Sequence, residues 1–477
     1  MQIQWLIRYF FRSALVFSGT LIVQSAVSAE PLPASVAQAL RVAGIPAASA
    51  AVSVQEVGAA RPWLSANAAA PMNPASTMKL VTTYAGLELL GPAYRWRTEV
   101  FLGGPLRDGV LEGDLVLKGG GDPKMTLEAF WLLLRDLRSR GLRDIRGDLV
   151  IDRSQFAAVE IDPSRFDGDS LRPYNVGPDA LLLNFKAVRF LFSPDVERGT
   201  VRVTAEPRLL EVVSVLRPAE GPCGDWREKL KPDFQAPGAA PRALFTGSYP
   251  ASCGERDWHV ALMAPTPYAG SLFRLLWAEM GGTISGGTRD GTLATQAKPF
   301  ASGESPTLSE VVRDINKFSN NVMARQLYLT LAADQAGPPA TAENAQRALK
   351  AWLAKKGLDF PELVLENGSG LSRVERISAQ NLTALLVAAF RSPVMPELVA
   401  SLPMVAVDGT MRRRLKSEAV AGQAHIKTGS LADVRAIAGY VLDRSGRRHA
   451  VTMIVNHPNA AQSQAAQDAL LNWVYAR

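Results

Sequence analysis

The spacing of three short polar motifs constrains the fold of this 477-residue chain more than any other feature. S-T-M-K at 76–79 and S-N-N at 319–321 begin 243 positions apart, whereas K-T-G at 427–429 follows after a much shorter interval. A compact domain that brings the first two motifs together does not need so long a span. The spacing therefore predicts a domain that a large insertion splits in sequence.

The three motifs read as S-x-x-K, S-x-N and K-T-G, the signature set of active-site-serine enzymes that attack β-lactams and D-alanyl peptides. Each motif also has a plain interpretation, since a serine or lysine near a helix start is often a cap or a solvated side chain. Ser76, however, is the only serine in the chain with a lysine three residues later. The joint occurrence of the three motifs favours the catalytic interpretation.

The flanking sequence predicts the structural context of each motif. Pro74 and the mostly apolar run at 79–90 predict that Ser76 and Lys79 emerge on one face at a helix start. S-N-N interrupts a helical pattern over 308–331, so we interpret it as a helix-connecting turn facing a cleft or as an ordinary surface loop. K-T-G is predicted to lie on an antiparallel strand that leads into a hairpin.

The N-terminal sequence predicts export. Residues 1–29 resemble a secretory signal peptide, with arginines before an apolar run at 14–23 and small residues at 27–29 that suit cleavage; a retained membrane anchor is the alternative. Export would place the chain in the periplasm. Cys223 and Cys253, the only cysteines, would there form a disulfide, the alternative being two unpaired thiols.

Composition argues against several other classes of protein. The net charge of +7 is scattered in short runs, which disfavours nucleic acid and favours loose association with an anionic cell-wall or membrane surface. The sequence has no H-E-x-x-H, no C-x-x-C and no G-x-S-x-G, so we expect neither a metal site nor a cofactor. His425, two residues before Lys427, is predicted to be a packing or rim residue.

In the segment at 93–265, unlike in its flanks, short strand patterns alternate with glycine- and proline-rich turns. We predict that it is an inserted region of two small β-rich domains, one nested in the other. Residues 30–92 and 266–477 would then form one catalytic domain, since chain ends that contribute to one sheet are typical of a domain split by an insertion.

The whole pattern resembles the D-alanyl-D-alanine carboxypeptidase/endopeptidase family of class C low-molecular-mass penicillin-binding proteins, peptidase family S13. The resemblance rests on the three motifs, their spacing and further segments at 152–156, 367–373 and 408–412. It implies an α/β (α+β) penicillin-recognising serine transferase/β-lactamase-like core, with an antiparallel sheet flanked by helices. It further implies cleavage of D-Ala-D-Ala stem peptides and D-Ala–diaminopimelate cross-links of peptidoglycan, and acylation by β-lactam antibiotics.

The resemblance also implies catalytic roles for residues of the first two motifs. Ser76 would be the acylated nucleophile and Lys79 its base, because a serine hydroxyl is a weak nucleophile without one. Ser319 would relay a proton to the leaving amine. Backbone N–H groups of Ser76 and Ser430 would form the oxyanion hole.

Substrate-binding roles follow for the remaining motif residues. Asn321 would hold the substrate amide, and Lys427 would supply positive charge. Thr428 and Ser430 would bind the terminal carboxylate of the substrate. Gly429 is predicted to let a substrate backbone approach closely.

Two other functions stay open at the level of sequence. A β-lactamase or esterase could use the same core, but fast turnover of β-lactams needs a well-placed deacylating water that no sequence feature identifies. A non-catalytic wall-binding protein would use the insertion as its binding surface, and the intact set of motifs argues against it.

Overall fold

The structure is a computed structural model that describes residues 32–159, 161–235, 241–292 and 298–477. The predicted signal peptide at 1–29 lies outside these residues. Within the described part of the chain, none of the helices combines the length and the hydrophobicity that a membrane span requires.

The helices of the described chain are α1 (Ala34–Val42), α2 (Lys79–Leu89), α3 (Leu127–Ser139), α4 (Pro265–Glu279), α5 (Leu308–Lys317), α6 (Asn321–Ala336), α7 (Ala342–Lys355), α8 (Ala379–Phe390), α9 (Met395–Ser401) and α10 (Gln464–Tyr475). The strands are β1 (Ala50–Glu56), β2 (Leu64–Ala66), β3 (Arg97–Leu102), β4 (Leu106–Arg107), β5 (Val110–Leu111), β6 (Leu115–Gly119), β7 (Asp144–Ile145), β8 (Leu149–Asp152), β9 (Val188–Asp195), β10 (Thr200–Glu206), β11 (Glu211–Ser214), β12 (Arg217–Ala219), β13 (Leu230–Gln235), β14 (Arg242–Pro250), β15 (Arg256–Val260), β16 (Thr283–Ile284), β17 (Thr288–Asp290), β18 (Ala301–Glu304), β19 (Ala424–Leu431), β20 (Val434–Leu442) and β21 (Arg448–Asn456).

The two ends of the chain build one antiparallel sheet with the strand order β19-β20-β21-β1-β2. β1 pairs with β21 along its whole length. Strands β20 and β21 are almost entirely buried because helices cover both faces of the sheet. Residues of α1 and α10 pack in one hydrophobic core, and residues of α2, α5, α6, α7 and α8 pack in another. The predicted antiparallel sheet flanked by helices is confirmed.

The predicted insertion contains two β-rich lobes. A larger lobe has a five-stranded sheet, β17-β8-β6-β3-β18, a four-stranded sheet, β16-β7-β5-β4, and the helices α3 and α4. A smaller lobe has the sheet β10-β9-β15 and the strands that pair with β14. Its aromatic core includes Phe192, Phe245 and Tyr249, with ring centroids of Phe192 at 5.2 Å from Phe245 and 5.9 Å from Tyr249. The predicted Cys223–Cys253 disulfide is present in this lobe.

The larger lobe includes strands that lie after residue 265, the predicted end of the insertion. β17 pairs with β8 in parallel, and β18 pairs with β3 in antiparallel, so both strands extend the five-stranded sheet of this lobe. We therefore propose that the insertion runs to about residue 304 and that the smaller lobe, over residues 188–260, is nested within it. Strands of three or four residues leave too short a pattern to predict from sequence.

Candidate active site

Ser76 lies in a 3₁₀ turn, Ala75–Met78, that continues directly into α2. The turn begins with Ala75 in the left-handed region at φ 46°, a conformation that costs energy for any residue with a Cβ. Asn73 stabilises it, since its Oδ1 accepts the N–H of Ala75 at 2.9 Å. Asn456 of β21 bonds to the backbone of Asn73 in both directions, at 2.8 and 3.0 Å. The turn that bears Ser76 is therefore held at the C-terminal end of β21, the middle strand of the central sheet.

Lys79 is fully buried, and its Nζ lies 2.9 Å from Ser76 Oγ and 2.6 Å from Asn321 Oδ1. The same nitrogen also donates to the carbonyl of Ser369. Burial lowers the pKa of Lys79 well below its ordinary value; Lys427 lowers it further, and Glu375 opposes the effect. A neutral amine has two N–H groups and one lone pair. If Lys79 is neutral and both of its N–H groups bond to Asn321 and Ser369, its lone pair faces Ser76 Oγ.

The S-N-N motif forms the junction between α5 and α6, as one of the two sequence interpretations predicted. Ser319 adopts a left-handed φ of 58°, and Asn320 caps α6 by accepting the N–H of Met323. The turn directs two of its side chains to two different lysines. Ser319 Oγ accepts from Lys427 Nζ at 2.9 Å, and Asn321 accepts from Lys79.

K-T-G lies on β19, the edge strand of the central sheet, as predicted. Lys427 is buried, and desolvation lowers its pKa to about 7. Its ammonium contacts Ser319 Oγ and, at 2.7 Å, the carbonyl of Thr428. Thr428 Oγ1 bonds to Thr410 Oγ1 at 2.8 Å, whereas Ser430 is exposed to the cleft.

Gly429 has a role that the sequence interpretation missed. A Cβ at this position would lie 2.6 Å from the carbonyl oxygen of Pro74 and 3.0 Å from the backbone N of Ser76. The backbone that approaches this glycine is therefore that of the nucleophile turn. The absence of a side chain at 429 lets β19 pack directly against Ser76.

A cleft of about 840 Å³ opens over these residues. The core contributes Ser76, Ser319, Asn321, Thr428 and Ser430 to its lining. The insertion contributes side chains that carry no sequence motif, including Phe166, Asp167, Tyr174, Phe185 and His259. Arg373 also lines the cleft, with its guanidinium 4.7 Å from the ring centroid of Phe166. The insertion is thus one wall of the site.

Glu375 is a further interior residue that sequence reasoning did not single out. Its side chain is fully buried, and its Oε1 accepts the backbone N–H groups of Glu366, Asn367 and Gly368 at 3.1, 2.9 and 3.0 Å. Segment 367–373 supported the family resemblance, but neither spacing nor local pattern indicated that a carboxylate five residues beyond Gly370 anchors the loop whose Ser369 carbonyl bonds to Lys79.

A model of the D-Ala-D-Ala carboxypeptidase 3 (S13) family matches residues 32–476. The chain belongs to this family. Among curated relatives, the D-alanyl-D-alanine carboxypeptidase of Actinomadura sp. (strain R39) is 29% identical over 421 residues, which cover 83% of this chain and 76% of the relative. The DacB carboxypeptidase of Haemophilus influenzae is 24% identical over 393 residues, covering 80% of each chain.

Solved structures agree with the family's fold. Penicillin binding protein 4 of Haemophilus influenzae superposes with a TM-score of 0.79 at 22% identity, covering 93% of this chain and 99% of that one. The Bd3459 predatory endopeptidase of Bdellovibrio bacteriovorus superposes with a TM-score of 0.51 at 16% identity, covering 89% and 90%. As a member of the S13 family, the chain is a serine-type D-Ala-D-Ala carboxypeptidase, and the predicted family and activity are confirmed.

Proposed function

We propose that this carboxypeptidase also acts as a peptidoglycan DD-endopeptidase, and that both reactions pass through an acyl-enzyme on Ser76. The observation that carries the proposal is the environment of Lys79. This buried amine contacts Ser76 Oγ at 2.9 Å while two other acceptors, on Asn321 and Ser369, hold its N–H groups. Such an arrangement orients a neutral base toward the nucleophile.

Acylation then uses each motif residue in turn. Ser76 Oγ attacks the carbonyl carbon of the penultimate D-alanine while its proton passes to Lys79. The oxyanion receives the N–H groups of Ser76 and Ser430. When the C–N bond breaks, the proton that Lys79 took from Ser76 passes to the leaving amine through Ser319, whose Oγ accepts from Lys427. Water then attacks the ester carbonyl and gives a proton to Lys79. As the C–O bond to Ser76 breaks, Lys79 returns that proton to Ser76 Oγ and the peptide carboxylate leaves.

One anion-binding strand serves both substrates. In the D-Ala-D-Ala terminus and in the D-Ala–diaminopimelate cross-link, the scissile nitrogen is attached to a carbon that bears a carboxylate. Ser430 and Thr428 line the cleft, and the Lys427 ammonium lies directly behind them. Charge-assisted hydrogen bonds of this kind are about twice as strong as neutral ones. The open cleft between core and insertion leaves room for a leaving group larger than alanine.

One structural relative also supports the proposal. Bd3459 is named a predatory peptidoglycan endopeptidase, and one of its solved structures is acylated by penicillin G. We extend both properties to this chain, so that β-lactams act as acylating inhibitors. The signal-like sequence at 1–29 supports a periplasmic location, and the positive net charge supports loose association with the wall or the membrane surface.

Product analysis with purified muropeptides tests the proposal. We expect the protein to release D-alanine from monomeric pentapeptides, to convert cross-linked dimers to monomers, and to be labelled covalently by fluorescent penicillin. Ser76→Ala should lose all three activities, whereas Ser302→Ala, at an exposed serine of β18, should retain them. Cross-linked dimers left intact by a protein that trims pentapeptides would refute the endopeptidase assignment. Labelling of Ser76→Ala would refute the assignment of the nucleophile.

A further inference from the structure

The carboxylate of Glu375 is the anchor of the loop that touches Lys79. Three successive backbone N–H groups, those of residues 366–368, point at its Oε1. Successive N–H groups that converge on one atom form an anion-binding turn. Since N–H groups only donate, and Oε2 has no hydrogen-bond partner among the described residues, the arrangement fits a carboxylate rather than a carboxylic acid.

This turn delivers two carbonyl groups to α2. The carbonyl of Ser369 accepts from Lys79 Nζ, and the carbonyl of Gly368 accepts from Thr82 Oγ1 at 2.7 Å. The next residue, Gly370, packs so closely that a Cβ there would lie 1.9 Å from the carbonyl oxygen of Ala75. The loop is therefore held by Glu375 on one side and by the nucleophile-bearing segment on the other.

Glu375 is also the acidic partner in the electrostatic environment of Lys79. The charged groups that act on this amine are Lys427 from β19, Arg325 from α6 and Glu375 from the loop. The two cations lower the pKa of Lys79, in the same direction as burial, and Glu375 raises it. Glu375 is itself fully buried, and desolvation raises its own pKa. A buried charge acts strongly on its neighbours because little water screens it.

We propose that Glu375 is the positioning residue of the general base: it fixes the carbonyl that orients the Lys79 amine, and it supplies the buried negative charge on which the protonation of that amine depends. The proposal rests on the proposed function, because it takes Lys79 as the base of acylation.

The charge and the anchor can be separated by substitution. Glu375→Gln keeps the size and an oxygen that accepts N–H groups, but it removes the negative charge. Protonated Lys79 then loses the stabilisation that a nearby negative charge provides, so the pKa of Lys79 falls further. The acidic limb of the pH–rate profile, where acylation slows because Lys79 becomes protonated, therefore moves to lower pH. Glu375→Asp keeps the charge on a shorter side chain, so the limb should stay near that of the parent while the plateau rate falls. Glu375→Ala should lower the plateau by about tenfold or more, since the base is no longer held in place.

Glu362→Gln is the matched control. Glu362 Oε1 also accepts a backbone N–H, that of Ser378 at 2.8 Å, and an amide N–H of Asn381 at 2.9 Å. It is not among the charged groups that act on Lys79. This variant should change thermal stability without moving the acidic limb.

The experiment measures the rate of acylation by a chromogenic β-lactam from acidic to alkaline pH, with thermal melting of each variant. A limb displaced to lower pH in Glu375→Gln, but not in Glu375→Asp or Glu362→Gln, supports the proposal. An unmoved limb in folded Glu375→Gln overturns it, as does an equal displacement in Glu362→Gln.

If Glu375→Gln does not fold, a limb displaced to lower pH in Glu375→Asp overturns the charge assignment, and an unmoved limb with a lower plateau supports it. Undiminished acylation of Lys79→Ala would instead overturn the proposed function, so the two failures are distinct.

Discussion

The catalytic core and the insertion meet at one cleft, but they contribute side chains of different kinds. The core supplies Lys79 and Lys427, which are buried and hydrogen-bonded to neighbouring motifs. The insertion supplies Tyr174 and His259, which are exposed at the rim. Buried groups can be held in fixed geometry, and burial lowers the pKa of both Lys79 and Lys427. The comparison assigns the bond-breaking chemistry to the core and the selection of what enters the cleft to the insertion.

Two lysines with lowered pKa values, one from each region, give the strongest test of this division. Lys79→Ala should lower acylation by about a thousandfold or more, because in the proposed function Ser76 loses the base that activates it. Lys186 of the insertion is half-buried, and desolvation lowers its pKa, but its Nζ bonds to the carbonyl of Met263 at 3.2 Å. Lys186→Ala should leave acylation within about twofold of the parent, since additive effects are expected for sites without shared partners.

Penicillin labelling of both variants, with circular dichroism to verify folding, measures the difference. Equal losses in the two lysine variants would contradict the division of roles. Retained labelling in folded Lys79→Ala would remove Lys79 from the mechanism.

Two glycines in strands, one in the core and one in the insertion, allow the two regions to be compared at the level of the backbone. Gly429→Ala places a Cβ 2.6 Å from the carbonyl oxygen of Pro74, so β19 must move away from Ser76. We expect acylation to fall by about tenfold to a hundredfold, since small displacements of reacting groups cost that much. In β18 of the insertion, a Cβ at Gly303 would meet nothing closer than 3.6 Å. Gly303→Ala should be neutral or slightly stabilising.

Acylation kinetics and thermal melts of the two alanine variants test this prediction together. If Gly429→Ala acylates like the parent, the close approach of strand and nucleophile turn is not required for chemistry. If Gly303→Ala is the more damaging substitution, the insertion is coupled to the site more tightly than its contacts indicate.

The sequence predicted what depends on local pattern. The three-residue spacing placed Ser76 and Lys79 on one face, and the polar interruption of a helical pattern located the turn that carries Ser319. It could not predict what depends on distant chain segments. Glu375 is linked to Lys79 only because the 366–369 loop, which its carboxylate anchors, folds back onto α2, and the strands of residues 283–304 gain their partners from residues 97–152. The sequence likewise could not show why position 429 holds a glycine, because the backbone that it contacts, at Pro74, is distant in the chain.

A smaller and more selective effect is expected for the anion-binding strand. Ser430 is exposed in the cleft, and in the proposed function its hydroxyl binds the substrate carboxylate. Ser430→Ala should slow turnover of a free-acid peptide by about tenfold more than turnover of its ester or amide, because a charge-assisted hydrogen bond is lost from the acid alone. Comparative kinetics on the three substrates measure this difference. Equal losses would show that Ser430 is merely structural.

The smallest effect on chemistry is expected from the disulfide of the insertion. Replacement of Cys223 and Cys253 by serine opens a loop closed over 30 positions, which destabilises the smaller lobe by up to about 3 kcal/mol on the chain-entropy model. The bond lies in the hydrophobic core that contains Trp226 and Tyr249, and neither cysteine lines the cleft. Labelling by penicillin at low temperature should therefore stay within about twofold of the parent, while limited proteolysis within residues 188–260 should accelerate. A parallel loss of labelling would show that the insertion supports the reacting groups themselves, and the division between a reactive core and a selective wall would then fail at the nested lobe.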